Sequence, residues 1–173
     1  MTQYSVYAIG AALVDTEIQV NDSDLDTMAV EKGLMTLVDQ ERQAELMGHL
    51  QGHLVGANHA SGGSAGNSMI ATALFGAPTF MSCKVADDAD GDIYLADLEA
   101  SGVAHSLTNR RGSGTTGKCL VLITPDAERS MNTYLGVSET LSVAEVDDQA
   151  IADSDWVYLE GYLVTSPTGH EAA

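Results

Sequence analysis

The stretch ASGGSAGNS, residues 60–68, places two adjacent glycines in a run of small polar residues. Gly62 and Gly63 can adopt backbone angles that are closed to other residues, which lets a ligand approach the main chain. The apolar segment SMIATALF, residues 68–75, follows and predicts a helix that ends before the sequence Gly-Ala-Pro. The stretch therefore predicts a ligand-binding loop at the N-terminus of a helix, where backbone amides carry partial positive charge.

The side chains around this loop favour hydroxyl groups over a phosphate. Ser64 is a candidate N-cap, and Asn67 on the first helical turn offers both a donor and an acceptor. The next Lys or Arg along the chain is Lys84, so no cation lies close in sequence. Asp15 follows an apolar run and is expected at the carboxyl edge of a sheet, where open α/β folds bind ligands. A carboxylate, an amide and glycine backbone suit a polyol, while an Asp in an ordinary β-turn is the alternative.

The remaining pattern predicts strands that alternate with helices. Strands are predicted at 4–14, 17–20, 35–39, 79–86 and 155–163, helices at 40–50 and 88–102, and a hairpin at 116–136 around Pro125 and Asp126. Such alternation is typical of an α/β fold with a mostly parallel, doubly wound sheet, to which the hairpin adds further strands. Because the sequence shows no repeat and no linker, we expect one domain.

Composition restricts the class of partner. The chain has 7 Lys and Arg against 25 Asp and Glu, which gives a formal net charge of −18. A field of this sign repels nucleic acid and anionic membranes, so neither is an expected partner. The N-terminal apolar run lacks a basic region and is interrupted by Gly10, which is not the pattern of a signal peptide or a membrane span. Cys83 and Cys119 lie in apolar segments and are expected to be buried, reduced thiols of a cytoplasmic protein.

Two segments imitate ligand-binding motifs. GSGTTGKC, residues 112–119, approaches a P-loop, but it opens into a predicted strand instead of a helix and has Cys119 in place of Ser or Thr. Residues 86–97 approach a calcium loop, but Ala86 and Asp97 stand where the first ligand and the bidentate Glu are needed. We interpret the first as a turn before a strand and the second as an acidic helix N-terminus.

Three histidines have loosely metal-like spacing. His49 and His53 are expected on one element and His59 on another. Since no thiolate or carboxylate completes the set, solvated or hydrogen-bonded histidines are the preferred interpretation over a zinc site.

Four blocks of this sequence resemble the PfkB carbohydrate kinase family, also called the ribokinase family. They are GGSAGNS at 62–68, FMSCKVADDADGDIYLADLEASGV at 80–103, TGKCLVLITPDAERSMNTYLG at 116–136, and LEGYL at 159–163. The resemblance implies a ribokinase-like three-layer α/β sandwich with a mostly parallel sheet and a small β-sheet lid, whose strands would lie at about 16–21 and within 115–135. Family members transfer the γ-phosphoryl group of ATP, with Mg²⁺, to a primary hydroxyl of a sugar or nucleoside. GGSAGNS and PDAERSM look closest to the adenosine-kinase-like and related sugar-kinase branch.

The resemblance also implies roles for individual residues. Asp15, Gly62, Gly63 and Asn67 would bind the hydroxyl groups of the acceptor, Glu160 would lie near the phosphate and metal region, and Arg129 would contact either the ligand or the fold. The scarcity of cations near the site favours a neutral acceptor, adenosine first and a sugar second, although Arg110, Arg111 and Lys118 on the lid side weaken this argument. An exposed lid edge would suit a homodimer.

The family's second signature, of the form D-T-x-G-A-G-D, supplies the anion hole and the catalytic Asp, and this sequence does not contain it. A helix start at Ser166 and Pro167 comes just before the chain ends at Ala173. We therefore expect residues 1–173 to be the N-terminal, acceptor-binding portion of one kinase domain, inactive in isolation. A sugar- or nucleoside-binding remnant or regulatory module without catalysis is the alternative.

Overall fold

The computed structural model describes residues 2–53, 58–107 and 111–173, which form two sheets and the helices around them. The main sheet is parallel, with the strand order β6-β5-β1-β9. Its strands are β1 (Tyr4–Ile9), β5 (Thr79–Ser82), β6 (Ala104–His105) and β9 (Ser154–Leu159).

The second sheet has the order β3-β8-β7-β2-β4 and mixes parallel with antiparallel pairs. Its strands are β2 (Leu13–Gln19), β3 (Met35–Leu37), β4 (Asn58–Gly62), β7 (Gly117–Ile123) and β8 (Arg129–Tyr134). The α-helices are α1 (Asp22–Thr27), α2 (Gln40–His49), α3 (Ser64–Leu74), α4 (Ala89–Ala100), α5 (Asp148–Ala152) and α6 (Pro167–Ala172). The expected α/β architecture with a parallel sheet and a second sheet is confirmed, although the second sheet has five strands and the main sheet four in the described residues.

The prediction of one strand over 4–14 is wrong, because the chain leaves the main sheet after Ile9 and enters the second sheet at Leu13. The segment between Ile9 and Leu13, which we call the β1–β2 crossing, is held by two side chains that are distant in sequence. Glu160 accepts a hydrogen bond from the Ala11 amide, and the Ser138 hydroxyl accepts one from the Ala12 amide at 3.1 Å. These donors therefore find partners outside either sheet, which allows β1 and β2 to belong to different sheets.

Side chains of the main sheet alternate between two cores, as a parallel sheet covered on both faces requires. In β1, Ala8 packs with Met69 of α3 and Leu98 of α4. The neighbouring Tyr7 points to the other face, where it packs in a second core with Ala150 of α5. The main sheet therefore forms the middle layer of a three-layer sandwich.

The second sheet has one covered face and one open face. Its covered face carries Ile18, Leu120 and Leu122, which pack with Leu25 of α1 and Leu46 of α2. Residues at the alternate positions of the same strands point the opposite way, towards the ends of the main-sheet strands. The second sheet therefore presents one inner face to the main sheet.

Most of the local predictions are confirmed, with shifted ends. The helices predicted at 40–50 and 88–102 are α2 and α4, and Asp88 caps α4 by accepting a hydrogen bond from the Gly91 amide at 2.9 Å. The hairpin is formed by β7 and β8. The strand predicted at 79–86 ends at Ser82, and the one predicted at 155–163 ends at Leu159, after which residues 161–165 form a 3₁₀ helix.

Among the residues that the structure describes, no helix has the length and apolar character needed to cross a membrane.

Candidate functional site

A cleft of about 350 Å³ lies between the inner face of the second sheet and the carboxyl ends of β1 and β9. Five of the six residues predicted from the sequence line it: Asp15, Gly63, Asn67, Arg129 and Glu160. The sixth, Gly62, lies against the side chain of Asp15. The fold therefore brings all six residues together, although they are spread from position 15 to position 160 of the chain.

Asp15 reaches the cleft from the second sheet and not, as expected, from the carboxyl edge of the main sheet. It lies in β2, between Ala60 of β4 and Cys119 of β7. A Cβ atom added to Gly62 would collide with all three atoms of the Asp15 carboxyl group. Gly62 is thus required for space: only a residue without a side chain leaves room for the carboxylate above β4.

The environment of Asp15 favours its neutral form. Burial raises the pKa of Asp15 to about 6, the negative charge of Glu17 adds to the effect, and the positive charge of Arg129 opposes it. Arg129 lies across the cleft wall, with its Nη2 atom 3.8 Å from Glu17 Oε1. A carboxylate in this setting gains from hydroxyl groups that donate hydrogen bonds to its charged form.

The N-terminus of α3 forms the floor of the cleft beside Asp15. Gly63 is the N-cap with φ +86°, and its position leaves no room for a Cβ atom, which would lie 2.6 Å from the Ala11 carbonyl oxygen. The prediction that Ser64 caps the helix is wrong, because Ser64 is already its first residue. Asn67 lies on the first turn as predicted, and its exposed side chain lines the cleft.

Glu160 joins three parts of the molecule at the edge of the cleft. Its side chain is buried, and it accepts one hydrogen bond from the Ala11 amide at 2.5 Å and another from the Ser64 hydroxyl at 2.6 Å. Gly10 lies so close that a Cβ atom there would be 2.5 Å from Glu160 Oε2. Both carboxylate oxygens are therefore engaged by the chain itself, at the end of β9, the β1–β2 crossing and the start of α3.

The inner face of the second sheet gives the cleft an apolar wall, which the sequence argument missed. Its apolar members are Leu13, Met35, Leu37, Cys119, Val121, Met131 and Leu135. The available signal was the two-residue period of a strand, which places alternate residues of GKCLVLI and of RSMNTY on opposite faces of β7 and β8. That pattern alone could not tell which of the two faces meets a ligand.

Cys119 is part of this apolar wall, and its thiol accepts a hydrogen bond from the Thr133 hydroxyl at 3.3 Å. Burial raises the pKa of Cys119 to about 11, against the effect of Thr133 and with a smaller contribution from Asp15. The thiol is therefore protonated at neutral pH and contributes apolar surface. Both cysteines are buried and unpaired, as predicted.

Two of the three cations expected on the lid side, Arg111 and Lys118, do not line the cleft. Arg111 donates to Asp92 at 2.6 Å, and Lys118 forms an ion pair with Asp90 at 2.5 Å, so both bind acidic residues of α4. Arg110 lies outside the described residues. Arg129 is therefore the one cation that the described chain contributes to the cleft lining.

The remaining motif-like segments have structural roles. Residues 117–119 of the P-loop-like segment belong to β7, which agrees with the interpretation of a turn before a strand. The calcium-loop-like segment forms the N-terminus of α4, with Asp90 and Asp92 in its first turn. His59 hydrogen-bonds Thr16 at 3.1 Å, and the described residues contain no group of three metal-ligating side chains.

Solved structures with the same ribokinase-like architecture include sugar and adenosine kinases. A probable sugar kinase from Rhizobium etli CFN 42 is 37% identical and superposes with a TM-score of 0.91 over 99% of this chain. An adenosine kinase from Sinorhizobium meliloti is 38% identical, with a TM-score of 0.88 over 98% of this chain. The present chain covers 51% of each of those two proteins, so it spans about half their length.

The chain belongs to the pfkB family of carbohydrate kinases, whose family model matches residues 21–173. An uncharacterized sugar kinase from Archaeoglobus fulgidus is 28% identical over 80 residues, which cover 46% of this chain and 32% of that protein.

Proposed function

We propose that this chain supplies the acceptor-binding part of a kinase that transfers the γ-phosphoryl group of ATP to a primary hydroxyl of a nucleoside, adenosine-like in the first place, or of a sugar. Residues 1–173 would form the N-terminal portion of one kinase domain. The catalytic Asp region would lie outside these residues, and the isolated chain would bind the acceptor without phosphorylating it.

One observation carries this proposal: the Asp15 carboxylate is held over Gly62, facing the cleft that Asn67 and the Gly63 backbone also line. A carboxylate can accept from two neighbouring hydroxyls at once, and an amide can donate to one hydroxyl and accept from another. Such a set of groups recognises a vicinal diol, which a ribose ring and many sugars present.

The apolar wall supports a nucleoside over a simple sugar. A sugar presents hydroxyl groups on most sides, and desolvating them against Val121 and Met131 without hydrogen bonds would be unfavourable. A heterocyclic base has flat, weakly polar faces that fit this wall, while the ribose hydroxyls reach Asp15. The adenosine kinase from Sinorhizobium meliloti, 38% identical, is consistent with this choice.

The residues that the structure describes do not form a fitting site for Mg²⁺. The described residues contain no cluster of three metal ligands, and both oxygens of Glu160 accept hydrogen bonds from Ala11 and Ser64. Glu160 is therefore assigned to holding the fold at the edge of the cleft and not to the metal side of the reaction. What the chain's own residues supply is binding and orientation of the acceptor, which is a large part of catalysis in phosphoryl transfer.

The alternative is a nucleoside- or sugar-binding module that takes no part in catalysis. It remains the second candidate because the cleft residues account for binding of an acceptor and not for phosphoryl transfer. The two candidates share the cleft and differ in phosphoryl transfer, so binding and transfer must be measured separately.

Calorimetric titration of the chain with adenosine, ribose and fructose tests the binding part. We expect heat of binding with adenosine, and a large loss of affinity in Asp15→Asn, which removes the charge and one acceptor without changing size. Thr36→Ala provides a control, because Thr36 lies in β3 on the strand between two wall residues and is not part of the cleft lining. Absence of binding for all three compounds would contradict both candidates.

A phosphoryl-transfer assay with ATP tests the second part. We expect that the 173-residue chain alone does not phosphorylate adenosine. We expect phosphorylation when a polypeptide that carries the family's D-T-x-G-A-G-D segment is added. Turnover by the chain alone would overturn the assignment of catalysis to residues outside it. Binding without turnover under every condition would favour the binding module.

Three further expectations remain proposals. The second sheet ends in β3 on one side and β4 on the other, so either edge could pair with a second copy of the chain in a homodimer. A cytoplasmic location follows from the reduced state expected for the two cysteines. The charge of −18 supports the expectation that nucleic acid is no partner.

A further inference from the structure

The cleft carries more negative charge than the binding of a diol requires. Besides Asp15, three carboxylates line it: Glu17, Glu139 and Glu160. Glu160 is buried and holds the fold through its hydrogen bonds, and Glu17 lies 3.8 Å from the guanidinium group of Arg129. Glu139 is exposed, and its side chain forms no hydrogen bond or ion pair with the described residues. Its charge is therefore not balanced by a cation of the described chain.

Glu139 lies at one end of the cleft. It belongs to the 3₁₀ helix Gly136–Thr140, which follows β8. The preceding residue, Ser138, accepts a hydrogen bond from the Ala12 amide at 3.1 Å. This hydrogen bond holds the 3₁₀ helix beside the β1–β2 crossing, so Glu139 lies close to the start of β2.

The cleft-lining groups of β2 follow one another along the strand. Leu13, Asp15 and Glu17 share one face, at intervals of about 7 Å. Glu17 pairs with Val121, which belongs to the apolar wall. Asp15 therefore lies between the crossing, where Glu139 is, and the part of the apolar wall beside Glu17.

The described cations nearest to these carboxylates leave the Glu139 end of the cleft without positive charge. Lys84 approaches the same 3₁₀ helix, but its Nζ atom donates to the Thr140 carbonyl oxygen at 3.0 Å and pairs with Glu145 at 3.3 Å. Lys84 does not line the cleft. Arg129 does, but it lies beside Glu17, at the other end of the cleft-lining part of β2.

The order of these groups orients a nucleoside. In a ribose ring, the two hydroxyl-bearing carbons lie between the carbon that carries the base and the carbon that carries the primary hydroxyl arm. With the diol on Asp15 and the base on the apolar wall near Val121, the primary hydroxyl arm points towards the crossing and Glu139.

We propose that Glu139 is a specificity-determining residue, whose carboxylate faces the primary hydroxyl of the acceptor, admits a neutral or cationic group there and excludes a phosphate monoester. The inference rests on the proposed function for the orientation of the acceptor and adds a determinant of its charge. It also has a consequence for the product of phosphoryl transfer, which carries its new phosphate at this position and is therefore repelled from the cleft that bound the acceptor.

Electrostatics gives the size of the effect. A phosphate monoester carries about −1.5 to −2 charges at pH 7. At about 7 Å in a partly hydrated cleft, repulsion from one carboxylate lowers its affinity about tenfold. A protonated amine at the same position is attracted to the carboxylate, so its affinity rises.

Three ligands that differ at one carbon test the proposal: adenosine, 5′-amino-5′-deoxyadenosine and adenosine 5′-monophosphate. In calorimetric titrations at neutral pH and low salt, we expect the amine to bind most tightly and the monophosphate about tenfold more weakly than adenosine. NaCl should narrow both differences, because it screens interactions between charges. Equal affinities, tightest binding of the monophosphate, or differences that NaCl does not narrow would overturn the proposal.

Matched substitutions assign the discrimination to one side chain. Glu139→Gln removes the charge at nearly constant size and should narrow the difference between adenosine and the monophosphate several-fold, whereas Glu139→Asp keeps the charge and should keep most of the difference. Glu41→Gln is the control, because Glu41 is exposed in the first turn of α2, outside the cleft lining, and its loss changes the net charge equally. An unchanged difference in Glu139→Gln, or an equal effect of Glu41→Gln, would overturn the assignment to Glu139.

The proposed function and this inference can fail separately. Equal binding of adenosine and its monophosphate by a chain that supports phosphoryl transfer would keep the kinase proposal and overturn the role of Glu139. The expected ranking of the three ligands, lost in Glu139→Gln, without phosphoryl transfer under any condition would contradict the kinase proposal and support the role of Glu139. Failure of all three ligands to bind would contradict both.

Discussion

The carboxylate of Asp15 occupies the space that a side chain on Gly62 would need. The two residues lie on neighbouring strands, since Leu13 pairs with Gly62 and Asp15 pairs with Ala60 in the β2–β4 ladder. The two glycines therefore have different roles. Gly62 leaves room for the Asp15 carboxylate, and Gly63, with φ +86°, turns the chain into α3. The acid and the helix N-terminus are thereby held at one end of the cleft.

Gly62→Ala should displace the Asp15 side chain and weaken acceptor binding by at least tenfold, because one methyl group already collides with the carboxylate. Overpacking of this kind costs about 1–3 kcal/mol of stability. Chemical unfolding and calorimetric titration measure the two effects. Gly48→Ala is the matched control: nothing lies within 4 Å of a Cβ atom at position 48 of α2, so this change should leave binding unaltered and stabilise the chain slightly.

Asp15→Asn should stabilise the isolated chain at pH 7 by roughly 1–2 kcal/mol, after allowance for solvent screening at this partly exposed site. The pKa of Asp15 is raised from 3.8 to about 6, chiefly by burial. The neutral Asp15 carboxyl therefore makes its full favourable contribution to the free energy of unfolding below about pH 4, and this contribution is lost as the pH rises through 6. Urea unfolding between pH 4 and pH 8 should show the difference between the two proteins growing with pH, and a constant difference would contradict the shift.

The affinity for the acceptor should rise with pH, whereas the contribution of Asp15 to stability falls with pH. Because the ionised carboxylate accepts hydrogen bonds from hydroxyl groups, affinity for adenosine should rise as the pH increases through about 6, the pKa of Asp15. Titrations at several pH values measure this, and Asp15→Asn should give a flat profile with low affinity.

Glu160→Ala should destabilise the chain by about 1–3 kcal/mol, since the Ala11 amide would lose its partner in a buried crossing. Glu160→Gln should restore most of that stability, because its amide oxygen can still accept from Ala11 while its amino group donates to the Ser64 hydroxyl. Urea unfolding of both variants makes the comparison. Similar losses in both would show that the charge of Glu160, and not its hydrogen bonds, holds the crossing.

The extent to which sequence predicts this structure follows from the range of the interactions involved. α4 and the β7–β8 hairpin are determined by nearby residues, such as the Asp88 cap, and both were predictable. The end of β1 was not, because the run AIGAALV stays apolar while the partner of the Ala11 amide lies 149 residues further along the chain. Asp15 was consequently expected at the edge of the main sheet, whereas it lies in β2 of the second sheet and lines the cleft from there.

The apolar wall of the cleft shows a second limit. Alternation in β7 predicts that Cys119 and Val121 share one face and that Leu120 and Leu122 share the other. Both faces are apolar, so the pattern cannot distinguish the face that packs on α1 and α2 from the face that lines the cleft.

The two cysteines should react very slowly with thiol reagents in the folded chain. Burial raises the pKa of Cys83 to about 12 and that of Cys119 to about 11, so almost no thiolate is present at pH 8. Alkylation with iodoacetamide, followed by mass spectrometry, should label both only when urea unfolds the chain. Rapid labelling of Cys119 in the folded chain would show that the cleft wall opens readily, and suppression of that labelling by adenosine would place the ligand against it.

Salt should stabilise this chain. Its net charge of −18 leaves most carboxylates without a cation, so repulsion between them opposes the compact state. Ion pairs such as Lys118–Asp90 will weaken as salt is added, but acidic residues outnumber basic ones 25 to 7, so screening of the repulsion dominates. Between about 0.01 M and about 1 M NaCl the Debye length shortens from about 30 Å to about 3 Å, and the melting temperature should rise over that range. Sucrose at matched osmolality controls for solute exclusion, and a melting temperature that falls with NaCl would mean that the ion pairs outweigh the excess of acidic charge.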